Sequence, residues 1–157
     1  VQKAKKNPLN STDIISCLKN VPNFMGVFSS DEICKIRLLS YPLFFVVNLD
    51  TSLEPGSHWL AVRVGKNTIE IFDSLGLDQK LLGTESRALF HFFKRYSFSH
   101  RFMLSAVIQP PNSHVCGLFS IFFILYRSFI SFRNCCSKFT DNLVLNNLKL
   151  TKLLLKK

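Results

Sequence analysis

The segment of residues 115–132 constrains the fold most strongly, because besides hydrophobic residues it contains only three serines, one glycine and Arg127. Its length approaches that of a helix that spans a membrane. A charged residue well inside such a span is costly, so Arg127 argues against insertion into a bilayer. We therefore predict a helix that is buried in the core of a globular protein, and no stable membrane insertion.

Composition sets the scale of that core. The chain has 157 residues, of which 47% are hydrophobic and 16 are phenylalanine. One domain of this length buries roughly two thirds of the surface of its unfolded chain. The five cysteines are odd in number and lack paired Cys-x-x-Cys spacing, which argues against a disulfide framework and a zinc site. We expect one domain in a reducing compartment, without a metal or another cofactor.

The chain divides into three parts by composition. Residues 1–11 predict a basic flexible arm, residues 12–133 the main domain, and residues 134–157 a basic helix rich in leucine and lysine. The apolar run at residues 43–49 predicts a strand covered on both faces. The predicted fold class is α+β. It has a mixed or antiparallel central sheet, a buried helix that starts at Cys116, and surrounding helices.

Net charge indicates the class of partner. Lysine and arginine total 20 against 10 acidic residues, which gives a net charge of +10 and a pI near 9.6. Such a surface favours polyanions, with nucleic acid as the first candidate and an anionic membrane surface as the second. A solvated basic surface without a specific ligand explains the charge equally well. For the C-terminal helix, packing on the domain is favoured over a membrane or DNA anchor.

Residues 58–64 and 67–73 predict the two strands of a β-hairpin. If residues 65 and 66 form a two-residue loop, the numbers of paired residues sum to 131 and His58 lies directly opposite Asp73. Opposed side chains are close enough for an imidazole and a carboxylate to form a hydrogen bond. The hairpin therefore predicts a His–Asp pair at its open end.

The other face of the same hairpin carries Arg63 and Glu70. In the predicted register these two residues are diagonal neighbours, and we expect them to face solvent. Exposed ion pairs contribute little to stability. We therefore predict no role for them beyond solubility.

Cys116 is followed by Gly117 at the head of the predicted buried helix. The positive end of a helix dipole and the unpaired amides of the first turn lower the pKa of a thiol. A lone cysteine is more often a small buried hydrophobic residue. Its position alone leaves both interpretations open, and partners elsewhere in the chain must decide between them.

Four kinds of side chain together predict nucleophilic catalysis. A cysteine protease needs a thiolate, an imidazole that accepts and returns a proton, a group that orients the imidazole, and donors for the oxyanion. The sequence supplies one of each: Cys116, His58, Asp73 and Gln109. A short proline-containing loop separates Gln109 from Cys116, so its side-chain NH₂ could reach the oxyanion together with the backbone N–H of the cysteine. Trp59 would form a wall of the site.

Three segments, GSHWLAV, IEIFDSLGLDQ and QPPNSHVCGLF, resemble the adenovirus-type cysteine endopeptidases, or adenain family. In that family a His-Trp pair, an acidic residue on the following strand, a Gln and a Cys-Gly pair occur in this order. Papain-like enzymes place the cysteine before the histidine. The segment NVPNFMGVFSSDEI is similar to the opening segment of the family, and the resemblance covers about residues 12–132.

The resemblance implies a role for each matching residue. It implies a nucleophile at Cys116, a general base and then acid at His58, an orienting carboxylate at Asp73, an oxyanion donor at Gln109, and a wall of the substrate and oxyanion site at Trp59 and Gly117.

Three local features refine the resemblance. Adenoviral members commonly have Glu where Asp73 stands, and Asp is a shorter carboxylate with the same charge. Related proteases of ubiquitin-like proteins carry Asp immediately before the cysteine, whereas this chain has Val115, which favours the viral branch. The activator cysteine of the family would lie within residues 93–108, which contain no Cys, so we expect no disulfide-linked activator there.

By resemblance, the chain is an endopeptidase of a virus or virus-like element that cleaves capsid or core precursor proteins during virion maturation. It would act as a monomer in the virion and the host nucleus, with stimulation by DNA or a peptide activator. Two alternatives remain. An isopeptidase that removes a ubiquitin-like modifier would need a broad docking surface. A catalytically silent, basic DNA-binding module with the same fold would have no need for all four side chains.

Overall fold

A computed structural model describes residues 8–76 and 86–155. Residues 1–7 of the predicted arm lie outside the described residues. The centre is a five-stranded mixed sheet whose strands lie in chain order. The central pairs β2–β3 and β3–β4 are antiparallel, whereas the edge strands β1 and β5 pair in parallel with their neighbours. The strands are β1 (Phe24–Phe28), β2 (Leu43–Asn48), β3 (Trp59–Val64), β4 (Thr68–Phe72) and β5 (Arg101–Leu104).

Helices pack on both faces of this sheet. Asn10 caps the first helix in a reciprocal capping box with Asp13. Ser86 and Ser131 accept hydrogen bonds from backbone N–H groups in the first turns of two others. The described helices are α1 (Ser11–Leu18), α2 (Ser30–Ile33), α3 (Arg87–Lys94), α4 (Cys116–Arg127), α5 (Phe132–Cys136) and α6 (Leu143–Leu155). The predicted α+β class with a mixed central sheet is confirmed.

Alternate residues of β2 face two different cores. Phe44 and Val46 belong to a core that contains side chains of α1, α4, α5 and α6. Phe45 and Val47 belong to a core that contains side chains of α2 and α3. Every residue of the strand is buried, which confirms the predicted strand covered on both faces. Its sequence is a continuous apolar run because neither face meets water.

Helix α4 is the centre of the first core. Between Cys116 and Ile124, every residue except Leu118 is buried. The ring of Phe123 stacks on that of Phe72 in β4, with centroids 4.8 Å apart and an interplanar angle of 11°. The predicted buried helix is confirmed. No helix within the described part of the chain is long and apolar enough to cross a membrane.

The C-terminal helix α6 lies against α4. Leu150 and Leu154 are buried in the same core as the α4 side chains. The hydroxyl of Tyr126, near the end of α4, donates to the backbone oxygen of Leu153 at 3.0 Å. Lys152 is exposed on the other side of the helix. Helix α6 therefore contributes apolar side chains to the core and leaves this charge in solvent.

The predicted register of the β3–β4 hairpin is wrong by two residues. The numbers of paired residues sum to 133 instead of 131. The ladder continues past β3 because the backbone N–H of Gly65 donates to the carbonyl oxygen of Thr68 at 2.8 Å. The two-residue loop is therefore Lys66 and Asn67. A shift of two residues keeps every side chain on its own face of the sheet, so the predicted facing is correct although the pairing is not.

The predicted solvent-exposed pair on this hairpin is also wrong. Glu70 is only 3% exposed. Its carboxylate accepts hydrogen bonds from Nε and Nη2 of Arg127 at 2.7 and 2.9 Å, and from Nη1 of Arg63, directly opposite, at 3.2 Å. Helix α4 covers this face of the sheet, and its last residue supplies the charge that Glu70 neutralises. This ion pair with Glu70 explains why the apolar segment of residues 115–132 contains one charged residue, Arg127.

Glu70→Ala should lower the free energy of unfolding by about 2–3 kcal/mol, because both arginines lose their shared carboxylate. This loss is smaller than the about 3–5 kcal/mol usual for a fully buried ion pair, because the side chains of Arg63 and Arg127 are 20% and 18% exposed and can regain water. Urea unfolding measures the change. Glu54→Ala, in an exposed loop, is the control and should change the free energy by less than about 1 kcal/mol. Equal losses in the two variants would contradict the prediction.

Candidate active site

The loop between β2 and β3 places His58. The side-chain oxygen of Asn48 accepts hydrogen bonds from the backbone N–H groups of Asp50 and Ser57 at 3.0 and 3.2 Å, which holds the loop together. Gly56 has a φ of +89°, and a Cβ there would lie 3.0 Å from the Asn48 amide nitrogen. Glycine is therefore required at this turn. His58 follows two residues later and is 4% exposed.

Asp73 follows β4 and contacts the histidine. Its Oδ1 lies 2.6 Å from Nε2 of His58, so the predicted hydrogen bond is present although the residues are not directly opposed. The same oxygen accepts from the backbone N–H of Leu75 at 2.9 Å. The hydroxyl of Ser105 accepts from the N–H of Asp73 and donates to its carbonyl oxygen, each at 2.8 Å. Both the backbone and the carboxylate of Asp73 are therefore fixed.

Cys116 is the first residue of α4 and is 8% exposed. Its side chain forms a hydrogen bond with that of His58. Because Nε2 of the imidazole is engaged by Asp73, Nδ1 is the ring nitrogen left for the sulfur. The backbone N–H groups of Trp59 and Gly117 also stabilise the thiolate. The second of these belongs to the first helical turn, whose N–H groups have no partners within the helix.

The environment of the pair favours its charged form. Burial raises the pKa of Cys116, but hydrogen bonds and the charge of His58 outweigh burial and lower that pKa below its usual 9.0. Burial likewise lowers the pKa of His58, yet Asp73 and Cys116 outweigh it and raise that pKa from 6.5 to about 9. Both shifts favour a thiolate beside an imidazolium. The two groups titrate as a coupled pair.

Other cysteines in the chain lie in the opposite environment. Burial raises the pKa of Cys135 to about 12 and that of Cys136 to about 11. Burial also raises the pKa of Cys34. All five cysteines lie within the described residues and are free thiols. The surroundings of these three keep the thiol protonated, whereas those of Cys116 favour the thiolate.

Gln109 lies in the loop between β5 and α4 and is 1% exposed. The hydroxyl of Ser74 donates to its Oε1 at 2.6 Å, and its Nε2 donates to the backbone oxygen of Ser113 at 2.6 Å. A side-chain amide nitrogen carries two hydrogens, so a second can serve an acceptor in the cleft. Because Ser74 directly follows Asp73, one turn after β4 holds both the carboxylate and the amide.

Trp59 and Gly117 lie where the N-terminal segment meets α4. The indole N–H of Trp59 donates to the backbone oxygen of Leu9 at 3.0 Å. A Cβ at Gly117 would lie 3.1 Å from the Cβ of Leu9, so the segment before α1 approaches the start of α4 closely. Leu9 therefore packs against the start of α4 and forms part of the wall.

One cleft brings the predicted site residues together. It has a volume of about 660 Å³ and is lined by His58, Trp59, Gln109 and Cys116, among others. Its volume lies within the usual range for ligand clefts in proteins. The arrangement can perform nucleophilic attack, because a thiolate, a proton donor and amide donors meet at one accessible surface.

Sequence analysis missed Ser74 and Ser105, which hold Gln109 and Asp73. A single serine has no periodic pattern, so its role becomes visible only through its hydrogen bonds in the folded chain. The position of Ser74 in IEIFDSLGLDQ, directly after the predicted carboxylate, was the one available signal. Within residues 8–76 and 86–155, no group of three or more His, Cys, Asp or Glu side chains is arranged to hold a metal ion.

Solved structures similar to this chain include proteases. One is the SUMO protease Ulp1 with its catalytic cysteine oxidised to a sulfinic acid, at a TM-score of 0.46 and 17% identity over 98% of this chain and 80% of that chain. Another is the C-terminal Ulp1 protease domain in complex with Smt3, the yeast ortholog of SUMO, at 0.44 and 17% over 97% and 79%. A third is AvrA delL154 with IP6 and CoA, at 0.49 and 19% over 85% and 53%. Similarities at this level leave function undetermined.

Comparison at the level of sequence is more informative. No curated protein sequence matches the chain significantly. The sequence model of the adenovirus endoprotease family, however, matches residues 24–153. The matched region includes the four predicted site residues and continues past residue 132 through most of α6. The chain therefore belongs to the adenovirus endoprotease family and is a cysteine peptidase.

Proposed function

We propose that this cysteine peptidase is an endopeptidase that cleaves capsid or core precursor proteins during the maturation of a virion or virus-like particle. Cys116 is the nucleophile, His58 the general base and acid, Asp73 the orienting carboxylate and Gln109 an oxyanion donor. One observation carries these roles. The buried imidazole of His58 bonds to the Asp73 carboxylate at 2.6 Å and to the thiol of Cys116, and both partners raise its pKa.

The first chemical step starts from the ion pair. The thiolate of Cys116 attacks the carbonyl carbon of the scissile peptide bond, and the carbonyl electron pair moves onto oxygen. When the tetrahedral intermediate collapses, the C–N bond breaks and His58 gives its Nδ1 proton to the leaving amine. A thioester remains on Cys116. The imidazole is then neutral and ready to act as a base.

The second step reverses these roles. His58 takes a proton from a water molecule, whose oxygen attacks the thioester carbonyl carbon. The C–S bond breaks, the product leaves as a carboxylic acid, and the thiolate–imidazolium pair is restored. Asp73 keeps the imidazole in one orientation through both steps, since its oxygen holds Nε2 while Nδ1 exchanges the proton.

The oxyanion forms in both steps and needs hydrogen-bond donors. The backbone N–H of Cys116 lies at the start of α4, where the helix dipole favours negative charge. Gln109 supplies the second donor through Nε2, whose position is fixed by its bond to Ser113. Donors that are held in place before the reaction need no reorganisation when charge develops, and each contributes about 10²–10³ in rate.

The basic surface supports an association with DNA in the virion or the host nucleus. Exposed basic side chains lie on the α2–α3 side of the sheet: Lys35, Arg37, Arg87, Lys94 and Arg95. Arg95 donates to the backbone oxygen of Cys34 at 2.9 Å, which joins the two helices on this side. A net charge of +10 attracts a polyanion at long range. DNA would thus concentrate a monomeric enzyme near substrates packed with the genome.

At pH 7, iodoacetamide should modify Cys116 at least about tenfold faster than Cys34, because only the thiolate reacts and an ordinary thiol is mostly protonated there. As pH rises through the lowered pKa of Cys116, its rate should level off while that of Cys34 still increases. His58→Ala should move the pH profile of Cys116 upward, because burial then acts without the histidine. Site-resolved mass spectrometry measures both rates.

The exposed His91 provides the matched control, and His91→Ala should leave the pH profile of Cys116 unchanged. Equal modification of all five cysteines, or a profile that His58→Ala does not move, would count against the proposed mechanism.

Asp73→Asn should lower kcat/KM by roughly 10²–10⁴-fold, because the amide keeps the shape of the carboxylate but cannot hold the charged imidazole in the required state. Cleavage of a mixture of fluorogenic peptides of varied sequence measures the change. Asp141→Asn, at an exposed position, should retain full activity. Loss of activity in both variants, or in neither, would contradict the assigned role of Asp73.

DNA affinity should fall steeply with salt and survive Cys116→Ala, because it depends on surface charge and not on the thiol. Lys94→Ala should reduce the slope of log affinity against log salt by about 1, as expected for one lost phosphate contact. Fluorescence anisotropy with labelled duplex DNA measures the slope. Lys152→Ala, on α6, is the control. An affinity that does not depend on salt would rule out the proposed DNA surface.

A further inference from the structure

Asn146 is a polar side chain of α6 with no accessible surface, although the helix otherwise contributes leucines to the core. Its Nδ2 donates to the backbone oxygen of Ile108 at 2.9 Å and to that of Thr140 at 2.7 Å. Its Oδ1 accepts from the backbone N–H of Thr140 at 2.9 Å. These bonds occupy both amide hydrogens and the oxygen, so the buried group is fully satisfied.

The surrounding backbone allows one orientation of this amide. Two carbonyl oxygens require donors, and one N–H group requires an acceptor. Rotating the amide by half a turn would place oxygen against oxygen and N–H against N–H. The bond from Asn146 to Ile108 is therefore directional, and it links residues 38 positions apart in sequence. Helix α6 is tied by this bond to the loop that precedes α4.

The peptide bond between Ile108 and Gln109 is held on both edges. Its carbonyl oxygen accepts from Asn146, and its N–H donates to the backbone oxygen of Ser74 at 2.9 Å. The preceding N–H, that of Ile108, donates to the same Ser74 oxygen at 2.9 Å. A peptide plane fixed at both edges fixes the position of the next Cα, which is the Cα of Gln109 from which the side chain extends.

We propose that Asn146 is a positioning residue for the oxyanion donor Gln109, so that the C-terminal helix supports catalysis as well as the core. This inference rests on the proposed function, in which Nε2 of Gln109 donates to the oxyanion. Ser74 and Ser113 hold the end of the Gln109 side chain, and Asn146 holds the backbone from which it extends. A displacement of about 1 Å at such a group can cost roughly 10²-fold in rate.

Two reagents separate this role from a general effect on the site. Iodoacetamide alkylates the Cys116 thiolate with release of iodide, and no tetrahedral oxyanion forms. A p-nitrophenyl ester acylates the same sulfur through a tetrahedral oxyanion, with release of p-nitrophenolate. Gln109 assists only the second reaction. The ratio of the two rates at Cys116, measured by mass spectrometry on one preparation, corrects for any loss of active protein that lowers both rates alike.

Gln109→Ala should lower the acylation rate by about 10²–10³-fold and leave alkylation within about twofold. Asn146→Ala should lower acylation by about 10- to 100-fold, again with alkylation unchanged. In the Gln109→Ala background, adding Asn146→Ala should have no further effect on acylation. This non-additivity is expected because Asn146 acts through the amide that the first substitution removes.

Asn146→Asp is a second variant with the same shape. Its carboxylate can still accept from the N–H of Thr140 but cannot donate to Ile108. It should therefore lower the ratio of the acylation rate to the alkylation rate in the same way as Asn146→Ala. Asn142→Ala is the matched control, because Asn142 directly precedes α6, is exposed, and its side chain accepts a hydrogen bond from the backbone N–H of Leu145 in the first turn of that helix. It should leave both rates unchanged.

Each remaining outcome decides against the inference. An unchanged acylation rate, an equal loss of acylation and alkylation, or an additive loss in the double variant would assign Asn146 to the fold alone. Failure of both Asn146 variants to fold would lead to the same conclusion. Different outcomes would reject the proposed function itself. These are no reaction of Cys116 with either reagent in the unsubstituted protein, or an acylation rate that Gln109→Ala leaves unchanged.

Discussion

The packing of α4 on the β3–β4 hairpin is the contact on which the rest of the molecule depends. The helix has 12 residues, so it is about 18 Å long. Its apolar side chains fix its distance from the sheet, and each end carries a polar group that meets the hairpin. Arg127 meets Glu70 at one end, and Cys116 meets His58 at the other. A slide or rotation of the helix would break both contacts together.

The polar groups around the site are held by a few directional bonds within an apolar interior. Ser105 fixes the backbone of Asp73, Ser74 bonds to Gln109, and Asn146 reaches the loop before α4 from the far end of the chain. Buried polar groups must be paired, because each unpaired group loses its bonds to water. The same requirement that stabilises the fold therefore gives the candidate catalytic groups fixed positions.

Several features could be predicted from local pattern. The charge of Arg127 within the apolar segment favoured a buried helix over a membrane span. Alternation along two strands placed His58 and Asp73 on one side of the sheet. The exact pairing could not be predicted, because Gly65 with Lys66 and Lys66 with Asn67 are both acceptable two-residue turns. The predicted placement of His58 and Asp73 on one side of the sheet does not depend on that choice. A register shift of two residues leaves every side chain on the same face.

Features that depend on distant residues could not be predicted. Glu70 follows the polar positions of its strand, and nothing local distinguishes a carboxylate that meets water from one that meets a guanidinium 57 residues away. Ser74, Ser105 and Asn146 are polar residues without period or motif. Their positions follow from the chain's path in three dimensions.

The thiolate character of Cys116 also determines how oxidants act on this protein. Susceptibility to oxidation follows thiolate character, and the protonated thiols of Cys135 and Cys136 are poor targets. Peroxide would therefore act first on the sulfur of Cys116. The first product, a sulfenic acid, can be reduced by small thiols, whereas the sulfinic and sulfonic acids cannot. Compared with Cys135 and Cys136, Cys116 would thus take most of the oxidative damage, and the reversibility of that damage would depend on how soon a reductant arrives.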